Sequence, residues 1–527
     1  MEIASSEARI RAGRDGGRLA ATGSATGEAL SAFAAAVRLI EQAAWAGMRW
    51  ADQQRLLGEL SGLPMDAAAM AIEAGRPEQA VELLEQGRGV LLARQLEAPG
   101  LAAQLNTMAP EIAEELAAVQ VALDDAEQSS DPAISGRDLA VRRSRLARQR
   151  TAILARLRAD PGLQNLVGSP RLDELLGAGS PGPVVIVNIS EYRCDALILS
   201  AGQVRAIPLP RLTRQAVAEQ VQKLLEAADA MKSAEVDDVL AWAWDRVVEP
   251  VFAELGLTEP APAGQETHLW WCATGLAAFL PLHAAGAYGS SAPTRYSALD
   301  LAVSSYTPSL RTLIQLRQRQ PAQEAACSGP LILAMPKTPG LQDLESTTDE
   351  AEDITRRSPA HELLTGPSAT RDAVAQAMPR HLWAHYACHG SQDLGDPFRG
   401  AIHLHDGPLS ITHITSLQLP NPVLAYVSAC DTSRGGTSIP DEGITLASAL
   451  QIAGYQHVVA TLWQIIGFTA TEVAKRLYDQ VVTVHDGIAE VDGNAVAAAL
   501  RAAVIRLREE SPEMPAMFWA PYIHTGP

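Results

Sequence analysis

Hydrophobic positions follow two patterns along the chain. From about Gly27 to Arg158 apolar residues recur at intervals of three and four, as in Leu30, Phe33, Val37 and Ile40, which lays one stripe along the face of a helix. From about Gly182 short runs rich in Val and Ile alternate with amphipathic stretches, the pattern of a largely parallel sheet with crossover helices on both faces. Strands are expected at 184 to 189, 195 to 200, 268 to 273, 330 to 335, 382 to 388, 423 to 430 and 457 to 463. Helices are expected at 213 to 230, 235 to 254, 369 to 378, 441 to 454, 469 to 482 and 494 to 509. The fold class is therefore α/β with a mostly parallel sheet, preceded by an all-α region. The uncharged run from Leu269 to Ser291 is long enough to suggest a membrane span, but Gly275, Pro281, His283 and Gly286 interrupt it, and a strand followed by a turn is the better reading.

Within the helical region, residues 67 to 92 read as two antiparallel helices joined at Gly75–Pro77, with Pro77 suited to a first helical turn. Small residues at the expected crossing, Ala71 and Ala80, resemble those of a tetratricopeptide repeat, and GEALSAF at 27 to 33 echoes the phrase. Ala29 and Ala80 lie 51 residues apart, beyond the repeat's usual period, so an ordinary helical bundle is the rival reading. The expected divisions are a flexible or partly helical segment at 1–26, helical hairpins at 27–98 and a long helical arm at 99–170, broken near Asp131–Pro132 and Gly136. Arg142, Arg143 and Arg145 on the arm are expected to form a solvated face.

Composition then removes several classes of function. Forty-two basic against sixty-one acidic residues give a net charge of −19, and no compensating basic stripe stands out, which excludes an extended nucleic-acid surface. The polar, charged start MEIASSEARIRAGRDGG has no apolar core of the secretory type, and no membrane association is expected. Five cysteines, with no CxxC pair among them, suit neither a disulfide framework nor a zinc ribbon, so a reducing cytoplasm is the expected setting and no metal or other cofactor is expected.

Two strands end in reactive side chains. The run 382 to 388 leads into His389–Gly390, and 423 to 430 ends in Cys430, 41 residues after His389. That interval fits one crossover between neighbouring parallel strands, which would bring both ends to one edge of the sheet. An imidazole beside a thiol accepts its proton or holds the thiolate as an ion pair, as a cysteine nucleophile requires. Gly390 allows close backbone approach to a carbonyl, and its amide with that of Cys430 would form an oxyanion hole. Sheet-edge histidines and buried cysteines are also common structural features, and that reading stays open on spacing alone. Cys388 is expected to face the core. By strand alternation His385 shares a side with His389, either supporting it or hydrogen-bonded within the sheet. His403, His405 and His413 lack ligand spacing and are assigned to surface hairpin positions, while Tyr426 and Trp463 are assigned to packing.

Several phrases agree in order from about residue 180 to the end: LAAFLPLHAAG (276 to 286), SYTPSLRTL (305 to 313), HYACHGSQD (385 to 393), VSACDTSRGG (427 to 436), DEGITLASALQIAGYQHVVATLW (441 to 463) and FWAPYIHTG (518 to 526). Together they resemble the CHAT domain, a caspase-like module often found behind tetratricopeptide repeats. The resemblance implies a caspase/separase-type three-layer sandwich over 180–527, with a pseudo-subunit at 180–320 and a catalytic part at 328–527. It also implies a regulated cysteine endopeptidase whose dyad falls on His389 and Cys430 and whose helical region docks a protein substrate or an activating partner. A silent caspase-like scaffold is the alternative, and bacterial defence or programmed cell death is the setting implied by analogy. Asp431, Asp441 and Glu442 follow the nucleophile, where carboxylates would pair with a basic substrate residue or stand as solvated helix-start charges. Gly467 occupies a position where the family usually carries an aspartate, and Cys272, Ala273, Thr274 and Gly275 replace the residues expected before LAAFLP.

Overall fold

The computed structural model describes residues 6–43, 50–92, 105–128, 136–160, 163, 171–288, 296–319, 329–393, 395–420, 422–429, 440–485 and 487–527. It divides into two compact units, Met1–Leu175 and Leu176–Pro527.

The first unit is helical. Helices α1 (Ser6–Thr22) and α2 (Thr26–Val37) pack closely because Gly17 lies flat against Phe33, and a Cβ there would come within 2.5 Å of the ring. After α3 (Trp50–Leu60), α4 (Leu63–Glu73) and α5 (Pro77–Gly87) form the expected hairpin. Its turn uses Gly75 at φ +71°, and Pro77 opens the second helix. Ala71 and Ala80 are fully buried, so the small side chains do set the approach of the pair. The arm consists of α6 (Pro110–Gln128) and α7 (Gly136–Ala159), zipped by Val119, Leu123, Leu146 and Ile153 and tied by an Arg156–Glu115 ion pair of 2.8 Å. Arg143 departs from the solvated face expected of it. It is only 7% exposed, because it lies four residues from Leu139 and three from Leu146 on the side of the helix turned inward.

The second unit is built on one sheet of eleven strands. In chain order these are β1 (Val184–Ile189), β2 (Cys194–Ser200), β3 (Gln203–Pro208), β4 (Thr267–Ala273), β5 (Ala302–Tyr306), β6 (Leu331–Ala334), β7 (Glu362–Thr365), β8 (Trp383–Ala387), β12 (Leu424–Ser428), β13 (His457–Thr461) and β16 (Tyr522–Thr525). Separate from it lie a three-stranded ribbon, β9 (His389–Ser391), β10 (Ala401–Leu404) and β11 (Gly407–Ser410), and a hairpin, β14 (Val482–His485) and β15 (Ile488–Val491). The order across the large sheet is β3-β2-β1-β4-β5-β16-β13-β12-β8-β6-β7. Pairing is parallel through β1-β4-β5 and again through β13-β12-β8-β6-β7, while β2, β3 and the β16–β13 pair are antiparallel. The central parallel strands are buried end to end, which explains why they read as continuous apolar runs. Leu269 to Ala273 is such a strand, followed by short 3₁₀ turns. No helix among the described residues is long and apolar enough to cross a membrane.

The C-terminal strand β16 joins two parallel half-sheets. It meets β5 in register only at Thr525 and Tyr306, so side chains do much of the stitching. A hydrogen-bonded chain crosses four strands: His268 Nε2 to Ser305 Oγ (2.7 Å), Ser305 Oγ to His524 Nδ1 (2.6 Å), and His524 Nε2 to His457 Nδ1 (3.0 Å). The Trp270 indole N–H donates to the Gly526 carbonyl at 2.9 Å beside it. Burial pushes His268 and His457 down to about 4 and His524 further below the ordinary histidine value.

Candidate active site

The site begins with the register of β8 on β12. These strands are parallel neighbours, and Ala387, the last residue of β8, stands opposite Ser428, the last of β12. Both therefore end at one carboxyl edge, where open α/β sheets place ligands. The Ala429 carbonyl just beyond β12 accepts a 2.7 Å hydrogen bond from Thr461 Oγ1 at the end of β13, which fixes the chain as it leaves the sheet. Cys430 and Asp431 lie outside the described residues, as does Cys327.

Beyond Ala387 the expected strand to 388 gives way. Cys388 turns inward and is 1% exposed, in line with its core assignment, and the chain then leaves the large sheet, so that His389–Ser391 pairs with β10 in the ribbon. Alternation along β8 consequently does not relate His385 to His389. The half-buried His389 directs Nε2 at the Gln342 carbonyl, 2.7 Å away. A carbonyl only accepts, so Nε2 carries the proton and the neutral ring keeps its lone pair on Nδ1. The loop bearing Gln342 is braced at both ends. The Met335 amide donates to Ala387 O at 2.8 Å, and the Leu344 amide donates to Pro336 O at 2.9 Å. Gly390 sits opposite Ile402 in the ribbon.

Behind this edge His385 is fully buried. It bonds the Tyr478 hydroxyl through Nδ1 (2.9 Å) and the Glu350 carboxylate through Nε2 (3.1 Å), and its ring stacks on Tyr426. It is thus a hydrogen-bonded strand histidine. The contact anchors α8 (Ser346–Arg357), the helix that follows the Gln342 loop, and also α9 (Gly467–Val481), which carries Tyr478. Burial raises the Tyr478 hydroxyl far above its ordinary value, and Glu350 adds to this. Tyr426 and Trp463 are packing residues as expected. Both are buried, and the Trp463 indole donates to Met517 O at 2.8 Å.

His403 is nearer the site than its hairpin assignment suggested. It does lie on the β10–β11 hairpin, but directly across from His389, and its Nε2 shares a 2.8 Å hydrogen bond with Ser391 Oγ. Partial burial lowers its pKa and the neighbouring His389 lowers it further. The turn at Asp406–Gly407 marks a hairpin in the sequence, but nothing there names β9 as its partner. His405 and His413 are exposed and make no contact with this group.

Asp441 and Glu442 overturn the reading as solvated charge, because they are 7% and 2% exposed. Asp441 Oδ1 accepts the Gly275 amide at 3.1 Å and so ties the chain after β12 to the turn after β4. Gly275 adopts φ +55°, so this turn needs a glycine. At Gly467 a Cβ would fall 2.5 Å from the Cβ and Oγ of Ser346, which gives the missing aspartate a physical reason: α8 starts too close to admit a side chain. Among the described residues no group of three or more His, Cys, Asp or Glu side chains is placed to hold a metal.

The sequence of residues 237–527 matches the CHAT domain family, more than half of the chain. The chain belongs to the CHAT domain family. Two crystal structures of the Saccharomyces cerevisiae separase–securin complex are similar to this chain, each with a TM-score of 0.52, at 10% and 9% sequence identity. Each match covers 94% of this chain and 37% of the other, so the CHAT protein spans well under half the length of the chain it resembles. At that identity the likeness establishes the caspase-like fold. No curated protein sequence matches the chain.

Proposed function

We propose that the CHAT unit is a cysteine endopeptidase in which Cys430 is the nucleophile and His389 its base and acid. The observation that carries this is the alignment of Ala387 with Ser428, since His389 and Cys430 each follow two residues beyond a paired strand end. The Gln342 contact supports the same roles: with Nε2 fixed as donor, Nδ1 is the atom free to take the thiol proton. In the proposed reaction the Cys430 thiolate attacks a peptide carbonyl carbon and the C=O electron pair moves to oxygen, toward the amides of Gly390 and Cys430. The tetrahedral adduct collapses, the C–N bond breaks, and the amine leaves with the proton from His389. Water, deprotonated by His389, then attacks the thioester and releases the acid and the thiolate.

Asp431, Asp441 and Glu442 are proposed as the acidic side of substrate recognition. One oxygen of Asp441 is already engaged by Gly275 and Glu442 is only 2% exposed, so Asp431 carries more of that role. The peptidase module is proposed to extend back to residue 180, since β1 to β3 complete the sheet that the matched region continues. The helical hairpins, with their tetratricopeptide-like crossing, are proposed to dock a protein partner or substrate. The test is cleavage of a peptide library by wild type and by Cys430→Ala. A preference for Arg or Lys before the scissile bond, weakened by Asp431→Asn, supports the acidic assignment. Cleavage that does not depend on Cys430 overturns the mechanism and leaves a caspase-like scaffold.

A further inference from the structure

A groove of about 240 Å³ opens between α2 and the turn that joins α4 to α5. Leu30, Ser31, Ala34 and Arg38 line it from one side of α2, and Arg76 and Gln79 line it from the hairpin. Leu30 and Ala34 are buried and form an apolar floor. No Asp or Glu lines the groove, although the chain carries a net charge of −19. The two arginines enter from opposite ends. A Cβ on Gly87 would come within 3.1 Å of Val37 Cγ1, so the end of α5 lies beside the end of α2, and the start of α5, with Arg76, lies about 16 Å away along its 11 residues. Arg38 Nε donates to the Ala34 carbonyl at 3.1 Å, which folds its side chain back by a turn over the floor. Both arginines are exposed, and among the described residues neither has a carboxylate partner.

We propose that this groove binds an extended acidic segment of a partner protein, with one side-chain carboxylate on each guanidinium and an apolar side chain against Leu30 and Ala34. The inference rests on the docking role proposed for the hairpins, not on the peptidase chemistry, and it names the chemistry of the occupant. A guanidinium fork pairs with a carboxylate through two parallel hydrogen bonds. Folding Arg38 back by a turn leaves about 10 Å between the two cationic ends. Side chains two to four positions apart on an extended peptide span about 7 to 13 Å, which covers that distance. A phosphate gathers its charge on one group and needs the guanidinium groups to converge, whereas these stand apart. The volume lies below the usual range for a drug-sized ligand, about 300 to 1,000 Å³, and suits a few side chains of a peptide. The rest of an acidic molecule repels such a segment, so the acid-free groove is where it settles.

The experiment is isothermal titration calorimetry on the full chain carrying Cys430→Ala, which keeps the probe intact. The probe is an acetylated, amidated peptide with the core Ser-Glu-Leu-Glu-Ser, compared with the same peptide carrying Gln for both Glu and with inorganic phosphate. The acidic peptide is expected to bind, about tenfold more weakly after Arg38→Gln or Arg76→Gln. Its affinity is also expected to fall several-fold between about 0.05 M and 0.5 M salt. Both arginines are exposed, so thermal melts of the variants should match the parent. No binding of the acidic peptide overturns the proposal, as does binding that the Arg38→Gln, Arg76→Gln double variant leaves unchanged. Phosphate bound as tightly as the peptide overturns it as well. A Gln peptide bound as tightly as the acidic one overturns it too, and leaves the docking role of the hairpins standing.

Discussion

The two half-sheets on either side of β16 differ in the side chains that stand at their strand ends. In the half formed by β1, β4 and β5, the strand ends are closed by their own hydrogen bonds. Thr274 Oγ1 accepts the Ile189 amide at 3.0 Å, the Thr274 amide donates to Val187 O at 3.1 Å, and the Thr307 amide donates to Trp271 O at 3.0 Å. In the half formed by β6, β8, β12 and β13 the backbone is tied in the same way, by Met335 N–H to Ala387 O and by Thr461 Oγ1 to Ala429 O, but the chain then runs into loops, and among the described residues His389 bonds the Gln342 carbonyl through Nε2 and uses no other ring atom. Two parallel half-sheets of similar build thus differ in the side chain at the edge, Thr274 being consumed by the fold and His389 keeping an acceptor among the described residues. A strand end satisfied from within is architecture, and one that keeps a spare acceptor is available for chemistry.

Breaking the open half should cost activity and breaking the closed half should cost stability. The largest expected effect is His389→Ala, which lowers Cys430-dependent peptide cleavage by about 10² to 10⁴-fold with little change in thermal unfolding. Next is Glu350→Ala, which leaves Nε2 of the buried His385 without its acceptor and destabilises the unit by about 2–3 kcal/mol, read by urea unfolding. If α8 and its loop loosen with it, a Glu350→Gln variant that still folds will lower kcat more than it raises KM, because Gln342 then holds His389 less well.

The β16 seam gives an expectation in pH. His268 and His457 titrate near 4 in the folded protein and near 6.5 unfolded, and burial lowers His524 as well. Their folded values are depressed, so below about pH 6.5 the unfolded chain takes up protons that the fold refuses. Stability is therefore full above that pH and declines as pH falls toward 4. The charges bearing on the chain are Arg317, which disfavours protonation of His268, and Asp492, which favours it at His457. Replacing His524 with Gln should flatten this acid limb in thermal melts between pH 7 and 4. A limb of unchanged slope would remove the seam from the account. The smallest effect is expected in the closed half, where Thr274→Val leaves peptide cleavage intact and costs about 1–2 kcal/mol in urea unfolding, because the Ile189 amide loses its acceptor.

What the sequence made legible follows the same division. The buried parallel strands at 184 to 189, 331 to 334, 383 to 387, 424 to 428 and 457 to 461 announce themselves as apolar runs, and their pairing brings the ends of β8 and β12 together as the 41-residue interval implies. Strands with polar or mixed composition did not stand out. AVSSY at 302 to 306 and YIHT at 522 to 525 carry the Ser305 and His524 of the seam, and their hydroxyl and imidazole groups are tolerated in the interior only because they bond one another. His403 was missed because cross-strand register depends on where β8 ends, and His389 begins a new sheet one residue after a buried cysteine. The burial of Asp441 and Glu442 was invisible for a related reason: the Gly275 amide that Asp441 accepts lies 166 residues away in sequence.

The most direct test of the central claim is covalent labelling of the full chain with an electrophilic peptide probe, followed by mass spectrometry to locate the adduct, in wild type, His389→Ala and Cys430→Ala. A single adduct on Cys430 is expected in the wild type, formed at least about a hundredfold more slowly without His389 and absent from Cys430→Ala. Labelling spread over other cysteines, or a Cys430 adduct that forms equally fast without His389, would contradict it.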